Sequence, residues 1–326
     1  MSNIKKDNYD DNLYYEKLYE ENYSRLKNTI EENLDKYLPS IDKKSSVLGE
    51  AIVYSLDAGG KRLRPVLLLA ACEAAGGSIR DALPFACTIE FIHTYSLIHD
   101  DHPSMDNDDY RRGKLSNHKV FGDDIAILAG DGLLNSAMDI MLEHIINEKN
   151  TDMRDRKLKA AYEISKAAGV RGMISGQTAD VVMTGSRHEN IRYEMHDTDD
   201  KIEMLNYIHK YKTGAMISAA VRAGAIIGGA GEISLNALTK YAEKIGLVFQ
   251  IVDDILDITG DEKVIGKNLK SDIILGKLTY PAVFGLEQSY EYAASETAAA
   301  VEALNCCDLN TDFLKKIALD LQNRIS

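Results

Sequence analysis

The chain has 326 residues, 45% apolar and 27% charged, with a formal net charge of −13. That length and apolar content suit one large globular domain that can bury a core. The acidic balance excludes general nucleic-acid binding and attachment to anionic membrane surfaces, both of which need basic surfaces. Anionic partners have to be met by local basic clusters or by metal.

Residues 1–24 are polar and carry no apolar h-region, so no secretory leader is expected. No stretch is expected to hold enough uninterrupted apolar residues to span a bilayer. The four cysteines, Cys72, Cys87, Cys306 and Cys307, form no C-x-x-C pair and have no histidine at zinc-finger spacing. They read as reduced thiols of a cytoplasmic protein, with a strained Cys306–Cys307 disulfide as the alternative.

Taken from the N-terminus, residues 1–25 read as a polar extension, either frayed or an added amphipathic helix, and residues 26–326 as the main domain. Of five prolines, none lies between Pro103 and Pro281, and the segments between Gly59-Gly60, Gly76-Gly77, Gly228-Gly229 and Gly260-Asp261 are helix-sized. The periodicity predicts an all-α fold without strand hairpins or repeats. Residues 186–200 are very polar and read as a surface loop.

Three segments carry chemistry. Gly59-Gly-Lys-Arg-Leu-Arg-Pro65 places three cations after a flexible turn, with Pro65 suited to a first helical turn; alone it is a weak phosphate signal. Asp100 and Asp101 end an apolar helical run. Pro103 disfavours further helix at His102, so the chain can loop and return Asp106 toward Asp100, with Arg111 and Arg112 close behind. In Ile245–Ile258 nearly every residue is apolar except Gln250, Asp253, Asp254 and Asp257, whose spacing forms one helical stripe. With such apolar flanks the stripe is expected to face an interior cavity; a solvated acidic face is the alternative. Adjacent carboxylates repel unless a cation lies between them, and oxygen-only donors suit Mg²⁺. Taken singly, His93 reads as a core histidine, and Lys212-Thr213, Lys267 and Lys277 are unremarkable.

In this order, together with Gly176-Gln-Thr-Ala-Asp180, Tyr211-Lys-Thr-Gly214 and Gly276-Lys-Leu-Thr-Tyr-Pro281, these segments resemble the trans-isoprenyl diphosphate synthases, closest to the bacterial farnesyl diphosphate synthases. The resemblance runs from about residue 28 to the C-terminus. It implies a large single-domain helical bundle around a central apolar cavity, working as a homodimer. It implies that isopentenyl diphosphate condenses with dimethylallyl or geranyl diphosphate, giving farnesyl diphosphate. Geranyl or geranylgeranyl diphosphate are the alternative products.

By the same resemblance Asp100, Asp106 and Asp253 bind Mg²⁺, three ions in all, with Mn²⁺ a possible substitute; Asp101, Asp254 and Asp257 support them. Arg111 contacts the allylic diphosphate, while Lys61, Arg64, His93 and Arg112 hold isopentenyl diphosphate. Lys212, Thr213, Gln250, Lys267 and Lys277 complete the pocket, and the lysines balance charge on the leaving diphosphate. Tyr95 and Ser96 form the floor that sets product length. His102 replaces an apolar residue usual in the family; it reads either as a metal or phosphate contact or, preferred, as a solvent-facing loop histidine. A class I terpene cyclase would keep only the first Asp-rich segment, and a non-catalytic partner subunit would lose parts of both.

Overall fold

The computed structural model describes residues 17, 19–184, 190–191, 193–260 and 276–324. The regular structure of the described residues is helical apart from one hairpin of two-residue strands, Tyr110–Arg111 against Lys114–Leu115, where the sequence pattern led to none being expected. The long helices are α1 (19–31), α2 (Ser46–Leu56), α3 (Leu63–Ala74), α4 (Ile79–Asp100), α5 (Asp123–Ile146), α6 (Thr151–Ala168) and α7 (Met173–Met183). They continue as α8 (Thr198–Ile208), α9 (Ala215–Gly228), α10 (Glu232–Thr259), α11 (Leu286–Ala303) and α12 (Asp312–Asn323). A π-helical turn, His209–Gly214, joins α8 to α9.

Apolar spacing explains the bundle. Val66 to Cys72 of α3 are buried almost completely, and α9 meets them with a face of small residues. A Cβ at Gly224 would lie 2.0 Å from the Leu68 carbonyl oxygen, and one at Gly228 would lie 2.6 Å from that of Cys72. The two helices therefore touch backbone to backbone, which only glycine permits. Around this pair, α4 packs on α5, and α10 packs on α11. The helix over 19–31 crosses the composition boundary at residue 25. Tyr19 and Tyr23 pack against the core, with the Tyr19 ring 5.7 Å from that of Phe313 on α12.

Two expectations are corrected. The polar loop ends before 200, because Asp197 caps α8 by accepting from the Asp200 backbone N–H at 3.0 Å. Residues 185–189 and 192 of that loop lie outside the described residues. Also, α5 is long and apolar enough to cross a membrane by length and composition alone. Its apolarity is divided between a face packed on α4 and an exposed face with Ile127, Leu128, Leu142 and Ile146, while Asp131, Asp139 and Glu143 interrupt it.

Candidate active site

The first Asp-rich segment sits where α4 ends. Asp100 is the last helical residue and Asp101 its cap. The chain then turns back on itself: the Asp106 N–H donates to the Asp100 carbonyl at 2.9 Å, and the Met105 N–H to that of His102 at 2.8 Å. Asp106 thus returns to Asp100, as the proline-broken spacing predicts. The Asp100 carboxylate accepts from Gln177 of α7 at 2.8 Å. Burial, opposed by Lys212 and reinforced by Asp106, pushes Asp100 up to about 6. Asp101 is only 3% exposed and takes the Arg111 guanidinium, with Nε 2.9 Å from Oδ1; Arg111 also reaches Asp108 at 3.2 Å.

His102 departs from its preferred reading as a solvent-facing residue. Its side chain is 13% exposed, its Nδ1 lies 2.7 Å from Ser104 Oγ, and its ring meets His118 edge-on. The loop folds back over it, so burial wins over the polar sequence context.

Across from Asp100 stands the π turn. A Cβ at Gly176 would lie 2.0 Å from the Lys212 backbone nitrogen, so α7 can approach the turn only through glycine. Lys212 forms a close ion pair with Asp180 of α7. Burial alone would raise Asp180, but the charges of Lys212 and Lys277 outweigh it and hold the carboxyl below its usual range. Lys277 Nζ lies 3.7 Å from Asp106, bringing the Gly276–Pro281 segment to the first Asp-rich segment.

The second Asp-rich segment faces the turn from α10. Thr213 donates to Gln250 at 2.8 Å, and Gln250 donates to Asp254 at 3.0 Å. Asp254, 3% exposed, also accepts the Tyr280 backbone N–H at 2.9 Å and lies 3.5 Å from His209 Nε2. Burial pushes His209 down to about 3, which keeps its ring neutral. Asp253 is exposed and Asp257 is half-buried one turn on. The stripe is therefore divided: Asp253 points to the open side, while Asp254 ties α10 to Tyr280. Lys267 lies outside the described residues.

The basic turn lies beside α4. Gly59, Gly60 and, without being glycine, Arg62 all have positive φ. The Arg112 guanidinium crosses directly over Gly60, where a Cβ would lie 2.6 Å from Arg112 Cζ, and donates to the Gly59 carbonyl. Arg64 lies 3.4 Å from His93 Nε2, and burial followed by the surrounding arginines holds His93 well below its ordinary value. Lys61 is exposed, although desolvation against the turn still lowers its ammonium, and the Tyr23 hydroxyl donates to its carbonyl at 2.8 Å. Tyr95 is 7% exposed, edge-on to His99 at 5.5 Å, and Ser96 donates to the His93 carbonyl at 2.8 Å.

Several contributors were not assigned roles from the sequence. Gln177 holds Asp100, Asp180 holds Lys212, and His209 and Tyr280 hold Asp254. Arg62 turns away from the cleft: it donates to Glu90 at 2.7 Å and to the Leu56 carbonyl at 2.6 Å, with Glu90 1% exposed. The signal available was a lone carboxylate, Glu90, within the apolar run Cys87–Ile92, which demands a buried partner.

The arrangement brings two carboxylate clusters and two cationic groups to one end of the bundle, a setting that can hold and polarise diphosphates. Residues 45–310 match the Polyprenyl synthetase family model. The chain is 44% identical over 268 residues to a geranylgeranyl pyrophosphate synthase of Capsicum annuum, covering 82% of this chain and 69% of that one. It is 45% identical over 284 residues to a farnesyl diphosphate synthase of Geobacillus stearothermophilus, covering 87% of this chain and 90% of that one. A solved farnesyl/geranylfarnesyl diphosphate synthase from Zymomonas mobilis superposes with a TM-score of 0.76 at 31% identity, covering 95% of this chain and 99% of that one. The chain belongs to the polyprenyl synthetase family, among its short-chain trans-prenyl diphosphate synthases.

Proposed function

We propose that the protein makes farnesyl diphosphate from isopentenyl diphosphate and dimethylallyl or geranyl diphosphate, with Mg²⁺, as a cytoplasmic homodimer. The carboxylates fit that metal. Asp100, Asp106 and Asp253 offer only oxygen donors, and burial makes the charge on Asp100 costly without a cation beside it. Among the described residues no three His, Cys, Asp or Glu side chains close on one point. The carboxylates thus supply part of an ion's shell, leaving the rest to water and diphosphate oxygens. Mn²⁺ fits the same donors, and Asp100 and Asp106 from the first segment with Asp253 from the second would hold the ions, three by the family resemblance. When bound, the ions neutralise charge on the departing diphosphate.

The chain's own residues do the remaining work. Lys212, Lys267 and Lys277 meet the leaving diphosphate; Arg111 meets the allylic diphosphate from the first segment. Lys61, Arg64, His93 and Arg112 hold isopentenyl diphosphate without metal, and neutral His93 donates a hydrogen bond rather than a proton. The allylic C–O bond breaks, the isopentenyl double bond attacks the cation, and the released diphosphate takes the proton. No side-chain base is required. Thr213 and Gln250 keep the π turn and α10 in register around that cleft.

The observation that carries the farnesyl reading is Tyr95. It is a buried aromatic one turn before Asp100, where a large side chain shortens the room for a growing chain. Relatives named as geranylgeranyl synthases support the longer product as a second reading. Replacing Tyr95 with Ala separates them: the products lengthen by one isoprene unit or more if Tyr95 is the floor, and stay the same if it is not. The exposed apolar face of α5 supports the dimer. Light scattering that returned one chain's mass at micromolar concentration would contradict it.

A further inference from the structure

A cavity of about 620 Å³ opens between α6, α9, α10 and Tyr280, within the size range of small-molecule sites. Its wall includes His209, Lys210, Tyr211 and Gly214 of the π turn, but not Lys212 or Thr213, and none of the residues assigned to diphosphate or metal. It therefore lies behind the turn whose other side chains serve the cleft.

Its lining is cationic within an acidic chain. Five cationic side chains and three carboxylates line it, an excess of two positive charges in a chain of net charge −13. Arg222 pairs with Glu163 at 2.8 Å and Lys244 with Glu296 at 2.7 Å. That leaves Lys166, Arg171 and Lys210 against Glu243 alone to set the sign. Tyr211, Tyr280, Tyr292 and Leu247 supply flat apolar wall. His209, 3% exposed, is part of that wall, and its Nδ1 is buried with no hydrogen-bond partner. Native structures rarely leave such an atom unmatched.

We propose that this cavity is a second ligand site, for a small aromatic anion bearing a hydroxyl or N–H donor, coupled through His209 to the second Asp-rich segment. The cations select the charge, the tyrosines select the ring, and the donor meets Nδ1. Coupling follows from connectivity. The His209 ring stacks on Tyr280 at 5.5 Å, its Nε2 lies 3.5 Å from Asp254, and the turn it begins carries Lys212 and Thr213. A ligand that moves the ring displaces groups on both sides of the same turn.

Anilinonaphthalene sulfonate, an aromatic anion with an N–H group, is a suitable probe. Fluorescence titration of the full-length protein should show one saturable site that survives saturating inorganic diphosphate with Mg²⁺. Ser218→Trp, which fills the cavity without touching the cleft, should weaken binding roughly tenfold or more. Displacement by diphosphate, or an unchanged affinity in S218W, overturns the site. If circular dichroism shows S218W misfolded, the charge reversals Lys166→Glu and Arg171→Glu together replace it: weakened binding supports the site and unchanged binding overturns it. The binding arm is independent of the proposed reaction. The kinetic arm rests on it: saturating probe should change KM for the allylic diphosphate roughly fivefold or more in the wild type and not in S218W. Unchanged KM with the probe bound overturns the coupling.

Discussion

Both Asp-rich segments begin with an adjacent aspartate pair, and the two pairs are built on one plan by different means. In each, the second member is 3% exposed and spent on structure: Asp101 on the Arg111 guanidinium, Asp254 on Gln250 and the Tyr280 backbone. The first member, Asp100 or Asp253, is left on the cleft side. The first pair ends a helix, so a returning loop supplies its partner Asp106; the second lies within α10, so its neighbours are Gln250 one turn back on the same helix and Tyr280 beyond it. On the proposed reading each acidic pair supplies one metal ligand and one structural anchor, so its negative charge overstates its metal-binding capacity.

The sharpest break of this plan is Asp253→Ala against Asp254→Ala. D253A should lose about 10³-fold or more in kcat with an unchanged melting curve, the scale expected for removing electrostatic support of a leaving group. D254A should also lose stability, by about 1–3 kcal/mol, because the Tyr280 N–H and Gln250 lose a buried acceptor. Equal melting temperatures in the two variants would erase the distinction between ligand and anchor.

Glu90 extends the comparison to a carboxylate with no cleft role. Glu90→Ala strands Arg62 in the interior and should cost about 3–5 kcal/mol, read by denaturant melts. Glu90→Gln, at lower cost, should raise KM for isopentenyl diphosphate more than it lowers kcat, since Arg62 holds the left-handed turn between Lys61 and Arg64.

The smallest effect concerns pH. Asp100 titrates near 6 in the fold, above its ordinary 3.8, so the folded state binds more protons than the unfolded state between those values. Without a divalent cation, this group's contribution to stability falls as pH rises from about 4 to about 6 and stays low above that. Adding Mg²⁺ should therefore raise the melting temperature more at pH 7 than at pH 5, and D100N should flatten the difference. An equal Mg²⁺ shift at both pH values would contradict the placement of Asp100 beside the ion.

Much of this was legible in the sequence. The all-α bundle follows from helical periodicity between glycine pairs, and the return of Asp106 follows from Pro103. The stripe on α10 was visible because its flanks are so apolar. Periodicity alone did not separate Asp253 from Asp254, since adjacent residues differ by a rotation that the Tyr280 backbone settles; the division of roles came only from the resemblance. The Arg62–Glu90 pair was hidden for a different reason: its partners lie 28 residues apart, and Arg62 sits among cations that read as one phosphate-binding group. The π turn has no compositional signature; it is defined by how closely Gly176 lets α7 approach. His102 was misjudged because polar spacing says nothing about a loop folding over its own side chain.

The central claim is tested most directly by incubating the purified protein with Mg²⁺, isopentenyl diphosphate and each allylic diphosphate in turn, then identifying the dephosphorylated alcohols by mass. Farnesol as the main product, lost when Mg²⁺ is chelated, is the predicted result. Geranylgeraniol as the main product would contradict the Tyr95 floor, and no prenyl alcohol from any starter would contradict the proposed reaction itself.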